Sequence, residues 1–350
     1  SSESSNSIDI IVSDYVINGS VFNVPILITS ENTSYEQLVN LQIIAGNVSV
    51  SDPLGPDSYG YYIYDMGDTE YELAPVYDWI EISDIGSNLN ISDNGNNQDE
   101  SSTIDLPFTF TFYGQDYNEV TVCSNGWIAF GDSDMESFRN YPIPGTGGPS
   151  PMVAVFWDDL EDGTGVYSFN DVENNRFIIQ WDNYELYYDN SYHNTFQIIL
   201  YNTSSEVMSG DDEILLQYEE FNNKSEGHYP VGNYDGAVIH GQYASVGIED
   251  HTGLEGLEYT FNDQYPTAAA TLHDNSALFI STRANYEYMI GDLNQDELIN
   301  VLDVIITVNI ILDQLGSDLT PYQEYVADIN QDGSINILDV VLLVELILGS

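Results

Sequence analysis

One pattern of oxygen-bearing side chains occurs twice near the end of this 350-residue chain, and its spacing is suited to a metal ion. The first copy begins at Asp292 and the second at Asp328, 36 residues later. Side-chain oxygens stand at places 1, 3, 5, 9 and 12, with a backbone carbonyl at place 7, which is the EF-hand calcium scheme. Calcium is a hard cation that takes about six to eight oxygen ligands, so the two copies predict two Ca²⁺ sites. The predicted ligands are Asp292, Asn294, Asp296, Leu298, Asn300 and Asp303 in the first loop, and Asp328, Asn330, Asp332, Ser334, Asn336 and Asp339 in the second.

Each loop runs into an apolar segment, at residues 304–312 and 340–348, that predicts a helix. Both segments are apolar on nearly every side, which is typical of helices covered on more than one face. They are too short for the roughly 20 residues that a bilayer span needs, so direct membrane insertion is not expected. We expect the uncovered faces to contact the preceding domain or another molecule.

Residues 291–349 resemble a dockerin, the small calcium-loop module that docks secreted proteins onto cohesin partners. The resemblance implies calcium binding and a cohesin-like protein partner. The chain departs from the family pattern at two places. Glu297 stands where the first loop would have Gly at place 6. The pairs Val301-Leu302 and Ile337-Leu338 stand where Ser/Thr recognition residues are common.

The charge balance excludes several classes of partner. The chain has 4 Lys and Arg residues against 58 Asp and Glu residues, a formal net charge of −54. Nucleic acid is excluded, because its binding relies on Lys and Arg that neutralise phosphates. A hydrophobic content of 42% and an aromatic content of 13% are ample for a core, and the length predicts two or three domains.

Several features indicate a secreted or cell-surface protein. The single cysteine, Cys123, excludes disulfides within one chain, and Ser1-Ser-Glu-Ser-Ser is typical of a processed mature N-terminus. Calcium loops of moderate affinity also suit a calcium-rich exterior. Six Asn-x-Ser/Thr sequons are candidate glycosylation sites, about as many as chance gives in so Asn-rich a chain. They begin at Asn18, Asn32, Asn47, Asn90, Asn202 and Asn223.

The rest of the chain predicts a mainly β protein, with β-sandwich or jelly-roll-like domains before the small helical calcium module. Short apolar runs between turn signals indicate many strands. We predict an N-terminal β segment at 1–55, either a small sandwich or a donated strand, a large aromatic-rich sandwich at 56–282, and the calcium module at 283–350. Predicted strands cover 8–12, 21–29, 38–45, 106–113, 120–123, 127–130, 152–157, 165–169, 176–181, 195–201, 214–218, 244–248 and 257–261.

The central region resembles two related groups of extracellular domains. One is the all-β accessory domain of secreted gingipain-type peptidase proteins, and the other is the nidogen-like domain. The resemblance spans some 220 residues and implies structural aromatics without catalytic chemistry. The segments that carry it are Tyr59–Tyr62, Ala74–Glu81, Cys123–Trp127 and Val155–Asp159.

No catalytic motif is found. The chain lacks a Gly-x-Ser-x-Gly elbow, a His-Glu-x-x-His pair and a phosphate-binding Gly loop. Cys123 is expected to be a buried small hydrophobe. The acidic loops 93–100 and 158–162 could hold further calcium, but solvated turns explain them more simply. The three tyrosines Tyr184, Tyr187 and Tyr188 could stack on a glycan or could pack across strands.

These observations favour a non-catalytic, calcium-binding assembly protein. In the first hypothesis, its terminal segments hold copies of the protein together as a homopolymer, in a surface structure or filament. A second hypothesis is an adhesin or carbohydrate-binding subunit anchored by the dockerin-like module to a cohesin-like partner. A third is an accessory fragment of a secreted peptidase.

Overall fold

The computed structural model describes residues 16–29, 36–94, 98–187, 189–204, 207, 209–224, 242–283, 289–294, 298–312, 321–330 and 333–348. The chain divides into two compact units, residues 1–285 and 286–350. The strands are β1 Val21–Thr29, β2 Glu36–Ile44, β3 Tyr62–Asp65, β4 Ser87–Asn88, β5 Ser101–Phe112, β6 Gln115–Cys123, β7 Trp127–Phe130, β8 Met152–Trp157, β9 Leu160–Glu161, β10 Gly165–Asp171, β11 Arg176–Leu186, β12 Asp189–Tyr201, β13 Glu213–Glu220, β14 Ser245–Glu249, β15 Gly256–Phe261 and β16 Ser276–Ser281. The helices are α1 Val301–Ile311, α2 Pro321–Ala327 and α3 Ile337–Leu348, and a short 3-10 helix covers Val172–Asn174.

Two antiparallel sheets form a β-sandwich in the first unit. One has the strand order β3-β16-β13-β12-β11-β10-β4, with β9 also paired to β11, and the other has the order β15-β14-β8-β7-β6-β5. Alternate residues of each strand point into the space between the sheets, where one apolar core contains side chains from both. This bears out the mainly β prediction.

Hydrogen bonds cross that core from one sheet to the other. The indole N–H of Trp181, on β11, donates to the carbonyl of Cys123, on β6, at 2.8 Å. The hydroxyl of Tyr218, on β13, donates to the carbonyl of Val155, on β8, also at 2.8 Å. Large aromatic residues therefore bury their rings and still satisfy their polar atoms, which is the condition for placing them in a core.

Ordered segments cover the outer face of each sheet. On the β6–β8 sheet, the indole N–H groups of Trp127 and Trp157 both donate to the carbonyl of Ser137, each at 2.9 Å. On the β11–β13 sheet, the side chain of Gln217 accepts from the backbone N–H of Asp78 at 2.7 Å and donates to its carbonyl at 2.9 Å. The outer faces of both sheets are therefore packed as well as the inner ones.

The strands β1 and β2 form a separate two-stranded sheet, called the arm below. They pair antiparallel from Val21 opposite Ile44 to Thr29 opposite Glu36. No other strand of the described chain pairs with either of them. The base of the arm is anchored by backbone hydrogen bonds between Gly19 and Ala45, at 2.8 Å, and between Ala45 and Ser20, at 2.9 Å.

Most predicted elements are present. All of the predicted strands that fall on described residues are found, whereas the predicted strand at 8–12 lies outside them. Both helices after the loops are found and begin three residues earlier than predicted. Between them lies α2, Pro321–Ala327, which the sequence did not predict and which starts with Pro at the first helical position.

Candidate functional site

The first calcium loop is organised around the carboxylate of its last predicted ligand, Asp303, which is fully buried. Its Oδ1 accepts hydrogen bonds from the backbone N–H groups of Leu293, at 2.9 Å, and Asn294, at 3.4 Å. Its Oδ2 accepts from the N–H of Asn300 at 2.8 Å. One carboxylate therefore fastens both ends of the loop to the first turn of α1.

The second loop repeats this arrangement around Asp339, which is also fully buried. Its Oδ1 accepts from the N–H groups of Ile329, at 2.9 Å, and Asn330, at 3.4 Å, and its Oδ2 from the N–H of Asn336, at 2.8 Å. The three distances equal those in the first loop. The sequence repeat thus reappears as a repeat of geometry.

The residue at place 9 of each loop is the N-cap of the helix that follows. The side-chain oxygen of Asn300 accepts from the N–H of Leu302 at 2.8 Å, and that of Asn336 accepts from the N–H of Leu338 at 2.9 Å. Asn is a favoured N-cap because its oxygen satisfies a backbone donor that the helix leaves open. Each of these Asn side chains is therefore both a predicted calcium ligand and the N-cap of α1 or α3.

The charge of this unit fits a bound cation. Residues 286–350 contain no Lys, Arg or His, so the unit has no basic side chain of its own to balance its carboxylates. Asp292, Asp303 and Asp339 are nonetheless buried. Buried carboxylates without a counter-charge are costly, and a hard cation with oxygen ligands removes that cost. The donor set of carboxylates, amides and carbonyls is the one that calcium prefers.

The structure places the predicted ligands at different depths, and the assignment of each ligand stays a prediction. Asp292, Asp303 and Asp339 are buried, Asn300, Asp328 and Asn336 are half-buried, and Asn294, Leu298, Asn330 and Ser334 are exposed, while Asp296 and Asp332 lie outside the described residues. Over the ranges that the structure describes, no three His, Cys, Asp or Glu side chains already enclose a metal position.

A small apolar core holds the two loop–helix units together. It consists of Leu293, Val326, Ala327 and Leu343, with partly buried side chains of α1 around them. Two of these residues come from α2, which the sequence did not predict. The N–H of Gly291 donates to the carbonyl of Val326 at 2.9 Å, so α2 also contacts the start of the first loop.

Both long helices leave apolar side chains exposed at equivalent positions. Ten of the exposed residues form five pairs, each separated by 36 residues, and Val344 and Leu346 of α3 are exposed without an exposed counterpart. The pairs are Val301 and Ile337, Leu302 and Leu338, Ile305 and Val341, Ile311 and Ile347, and Leu312 and Leu348. Apolar side chains clustered on so small a unit are typical of a protein-binding surface. We call these ten residues the apolar pairs.

The fold brings together the two acidic loops of the β-sandwich. The N–H of Asp162 donates to the carbonyl of Asp93 at 2.8 Å, and burial, with the charges of Asp162 and Asp93, raises the pKa of Glu161 to about 7. Asp158 is buried beside Asp159, and burial, followed by the charge of Asp159, raises its pKa to about 7 as well. Asp93, Asp158 and Asp159 are all buried, so the interpretation of both loops as solvated turns is wrong at these positions.

Two further predictions about single side chains have clear outcomes. Tyr184 is buried in the core and does not form a glycan-stacking surface, Tyr187 is half-buried, and Tyr188 lies outside the described residues. Cys123 ends β6 and is fully buried, as predicted, and burial raises the pKa of its thiol to about 12.

The six sequons differ in accessibility. Asn47 and Asn90 are exposed, and the amide of Asn202 donates to Asn175 at 3.2 Å. The amide of Asn18 donates to Asp52 at 2.8 Å, and the amide nitrogen of Asn223 is buried. Asn32 lies outside the described residues. Among the described sequons, Asn47 is therefore the position at which a glycan fits without displacing a contact, since the amide of Asn90 donates to the carbonyl of Asn88 at 3.2 Å.

Within the described part of the chain, no helix has both the length and the apolarity needed to cross a bilayer.

Two family models match the chain. The model for "NIDO related" matches residues 76–289, and the model for "Dockerin type I domain" matches residues 290–348. No curated protein and no solved structure matches the chain. Both modules are of an extracellular type. Dockerin type I domains bind calcium and cohesin domains, and this indicates a calcium-binding role in assembly for the C-terminal unit. The chain therefore belongs to the NIDO-related family and ends in a dockerin type I domain.

Proposed function

We propose that this protein is a non-catalytic subunit of a secreted, calcium-dependent surface structure or filament. In this proposal the dockerin module, with one Ca²⁺ in each loop, docks to a protein partner, and the arm contacts a second copy of the chain. The absence of any catalytic motif from the sequence supports a structural role.

The observation that carries the proposal is the set of apolar pairs. Their ten side chains are each at least 36% exposed although they occupy two short helices. Burying one Leu, Ile or Val side chain contributes about 1.5–3 kcal/mol. A partner that covers even a few of the pairs therefore gains enough free energy for stable association.

The arm supports the second contact. A two-stranded sheet by itself is marginally stable in water, and both of its edges have backbone groups that can pair with another strand. Apolar side chains on both of its faces are exposed, which indicates that something else covers them. The exposed residues are Val21, Ile28, Leu38, Val39, Leu41 and Ile44.

The proposal is tested by sedimentation velocity and electron microscopy of the full chain in CaCl₂ and in EGTA. We expect oligomers or filaments in calcium, held together by the arm, and the EGTA sample measures how far that contact depends on calcium. The arm variant Leu38→Asp/Leu41→Asp should weaken self-association about thirty-fold or more, because a loss of about 2 kcal/mol has that effect. A chain that stays monomeric at high concentration in calcium would rule out self-assembly.

A matched variant of the dockerin module separates the two contacts. Leu302→Asp/Leu338→Asp changes both members of one apolar pair and leaves the arm intact. If the module docks to a cohesin-type domain, this variant loses binding to a purified cohesin domain and keeps its self-association. Loss of both properties in both variants would mean that the two surfaces do not act separately.

A carbohydrate-binding role is a second candidate, supported by one cavity of about 430 Å³ on the outer face of the β10–β13 sheet. Its lining includes Tyr77, Arg176 and Tyr201, side chains that can stack on and hydrogen-bond to a sugar ring. A glycan array probed with the wild-type chain and a Tyr77→Ala variant tests this role. The absence of any glycan that binds the wild type and not the variant would exclude it.

A further inference from the structure

Three buried carboxylates lie at the base of the arm, far from the dockerin loops in sequence. Asp52 is in the turn after β2, Asp65 is the last residue of β3, and Asp68 is in the turn that follows. Their side chains are 5%, 3% and 0% exposed, respectively. We call these residues the aspartate cluster.

Asp52 is fully hydrogen-bonded and joins the cluster to the arm. Its Oδ1 accepts from the amide of Asn18 at 2.8 Å and from the hydroxyl of Tyr71 at 2.7 Å. Its Oδ2 accepts from the N–H of Ser49 at 2.7 Å and from the Ser49 hydroxyl at 2.8 Å. These neutral donors stabilise a charged carboxylate, and the pKa of Asp52 is lowered although burial alone would raise it.

Asp65 joins the cluster to the β-sandwich. Its Oδ2 accepts from the hydroxyl of Tyr259 at 2.8 Å and from the N–H of Ala270 at 2.9 Å. Its Oδ1 accepts from the N–H of Gly67 at 2.6 Å, which leaves this oxygen with one hydrogen bond in the structure.

Asp68 has an unsatisfied oxygen. Its Oδ2 accepts from the N–H of Asp65 at 2.7 Å, but its Oδ1 is buried and has no hydrogen-bond partner. Burial, together with the charges of Asp65 and Asp52, raises the pKa of Asp68 to about 7. A buried carboxylate oxygen without a donor is costly, and here two like charges add to that cost.

Within the described part of the chain, no basic side chain forms an ion pair with the cluster. Among the residues that the structure describes, the ion pairs of Lys, Arg and His all involve other acidic residues. Asp68 Oδ1 has no hydrogen-bond partner and Asp65 Oδ1 has one, so two carboxylate oxygens of the cluster keep free lone pairs.

We propose that the aspartate cluster binds a divalent cation, Ca²⁺, through Asp68 and Asp65. Both donors are hard oxygens, which favours calcium over metals that prefer nitrogen or sulfur ligands. The described side chains do not place three acidic groups around one point. The coordination is therefore completed by water, an ordinary calcium ligand.

The cation would have a structural consequence. Asp52 and Asp68 lie close enough for their charges to interact, and Asp52 holds Asn18 at the start of the arm. A cation that neutralises the cluster would fix the base of the arm against β3. The arm would then be oriented by calcium independently of the dockerin loops.

Calcium stoichiometry on the full chain tests this proposal, which does not rest on the proposed function. The variant Asp292→Ala/Asp328→Ala removes the first ligand of both dockerin loops and leaves the cluster untouched. We expect equilibrium dialysis against ⁴⁵Ca²⁺ to find one calcium still bound to it. Adding Asp68→Asn should remove that ion, whereas adding Asp105→Asn, at an exposed position of β5, should not.

Three outcomes would overturn the proposal. In the first, the dockerin-loop variant retains no calcium. In the second, its remaining calcium survives Asp68→Asn in a folded chain. In the third, Asp68→Asn raises the thermal midpoint equally with and without calcium. Asn resembles a protonated Asp, so that result would mean that Asp68 is neutralised by a proton. Near-UV circular dichroism of the β-sandwich tryptophans checks that each variant is folded.

Discussion

Replacing Asp339 by Ala should unfold or nearly unfold the dockerin module while leaving the β-sandwich intact. The carboxylate of Asp339 accepts two short hydrogen bonds, from Ile329 and Asn336, and a longer one from Asn330. A hydrogen bond to a charged group contributes about 1.5–3 kcal/mol, so the two short ones alone are worth roughly 3–6 kcal/mol. Loss of a calcium ligand adds to this.

That loss is comparable with the whole stability of the module. Residues 286–350 form one compact unit, and at about 0.05–0.15 kcal/mol per residue such a unit has roughly 3–10 kcal/mol of stability. The variant Asp339→Asn keeps one acceptor oxygen and should lose about half as much. Asn336→Ala removes the side-chain cap of α3, which is worth about 1 kcal/mol, together with the predicted calcium ligand at place 9.

The assay is urea unfolding in saturating calcium, followed by circular dichroism at 222 nm. The three described α-helices all belong to the dockerin module, so the helical signal reports on it, and tryptophan fluorescence reports on the β-sandwich. Asp303→Ala provides a repeat of the experiment, because Asp303 accepts from the three equivalent backbone N–H groups of the first loop at the same distances. A helical transition within about 0.5 kcal/mol of wild type in either variant would refute the reasoning.

Three further outcomes are expected in the β-sandwich. Burial, and then the charge of Asp159, raises the pKa of Asp158 from 3.8 in the unfolded chain to about 7 in the folded chain. Its contribution to the free energy of unfolding is therefore greatest below about pH 4 and declines as the pH rises to about 7. Asp158→Asn should reduce this decline in stability by up to about 4 kcal/mol. Guanidinium titrations at pH 4 and pH 8 measure the decline, and the same pH dependence in variant and wild type would contradict the prediction. The thiol of Cys123 should resist iodoacetamide at pH 8 until the chain unfolds, because burial raises its pKa to about 12. Rapid labelling of the native protein would count against that burial. Trp181→Phe should lower stability by about 2 kcal/mol, measured by thermal unfolding, through loss of its hydrogen bond to Cys123 and of packed volume, and a neutral result would show that neither matters.

The sequence was most informative where the chain makes its contacts locally. In each calcium loop the ligands lie within twelve consecutive residues, so their spacing predicts their geometry. The strands of the sandwich are also local patterns of apolar residues. The ones that were not predicted are short or weak: β4 and β9 have two residues each, and β3 and β16 have four and six. Their extent is set by the strands that they pair with.

Helix α2 shows how a local signal was missed. Its seven residues are too few for a periodic apolar pattern, and its buried residues, Val326 and Ala327, lie at its end. Pro321 was the available signal, since Pro is favoured at the first position of a helix.

The depth of Asp158 was missed for a different reason. An Asp-Asp pair after a strand looks like a turn, and only the sheet pairing of β9 with β11 shows that it is covered.

The aspartate cluster could not be found by spacing at all. Asp52, Asp65 and Asp68 fit no ligand pattern, and their hydrogen-bond donors come from residues as far apart as Asn18 and Ala270. A dockerin loop encodes its site in one segment and can be recognised in any chain. A site assembled from the arm, β3 and the segment after β15 exists only when the β-sandwich is folded. If it binds calcium, its affinity should therefore be lost together with the β-sandwich, and should persist when the dockerin module alone is unfolded.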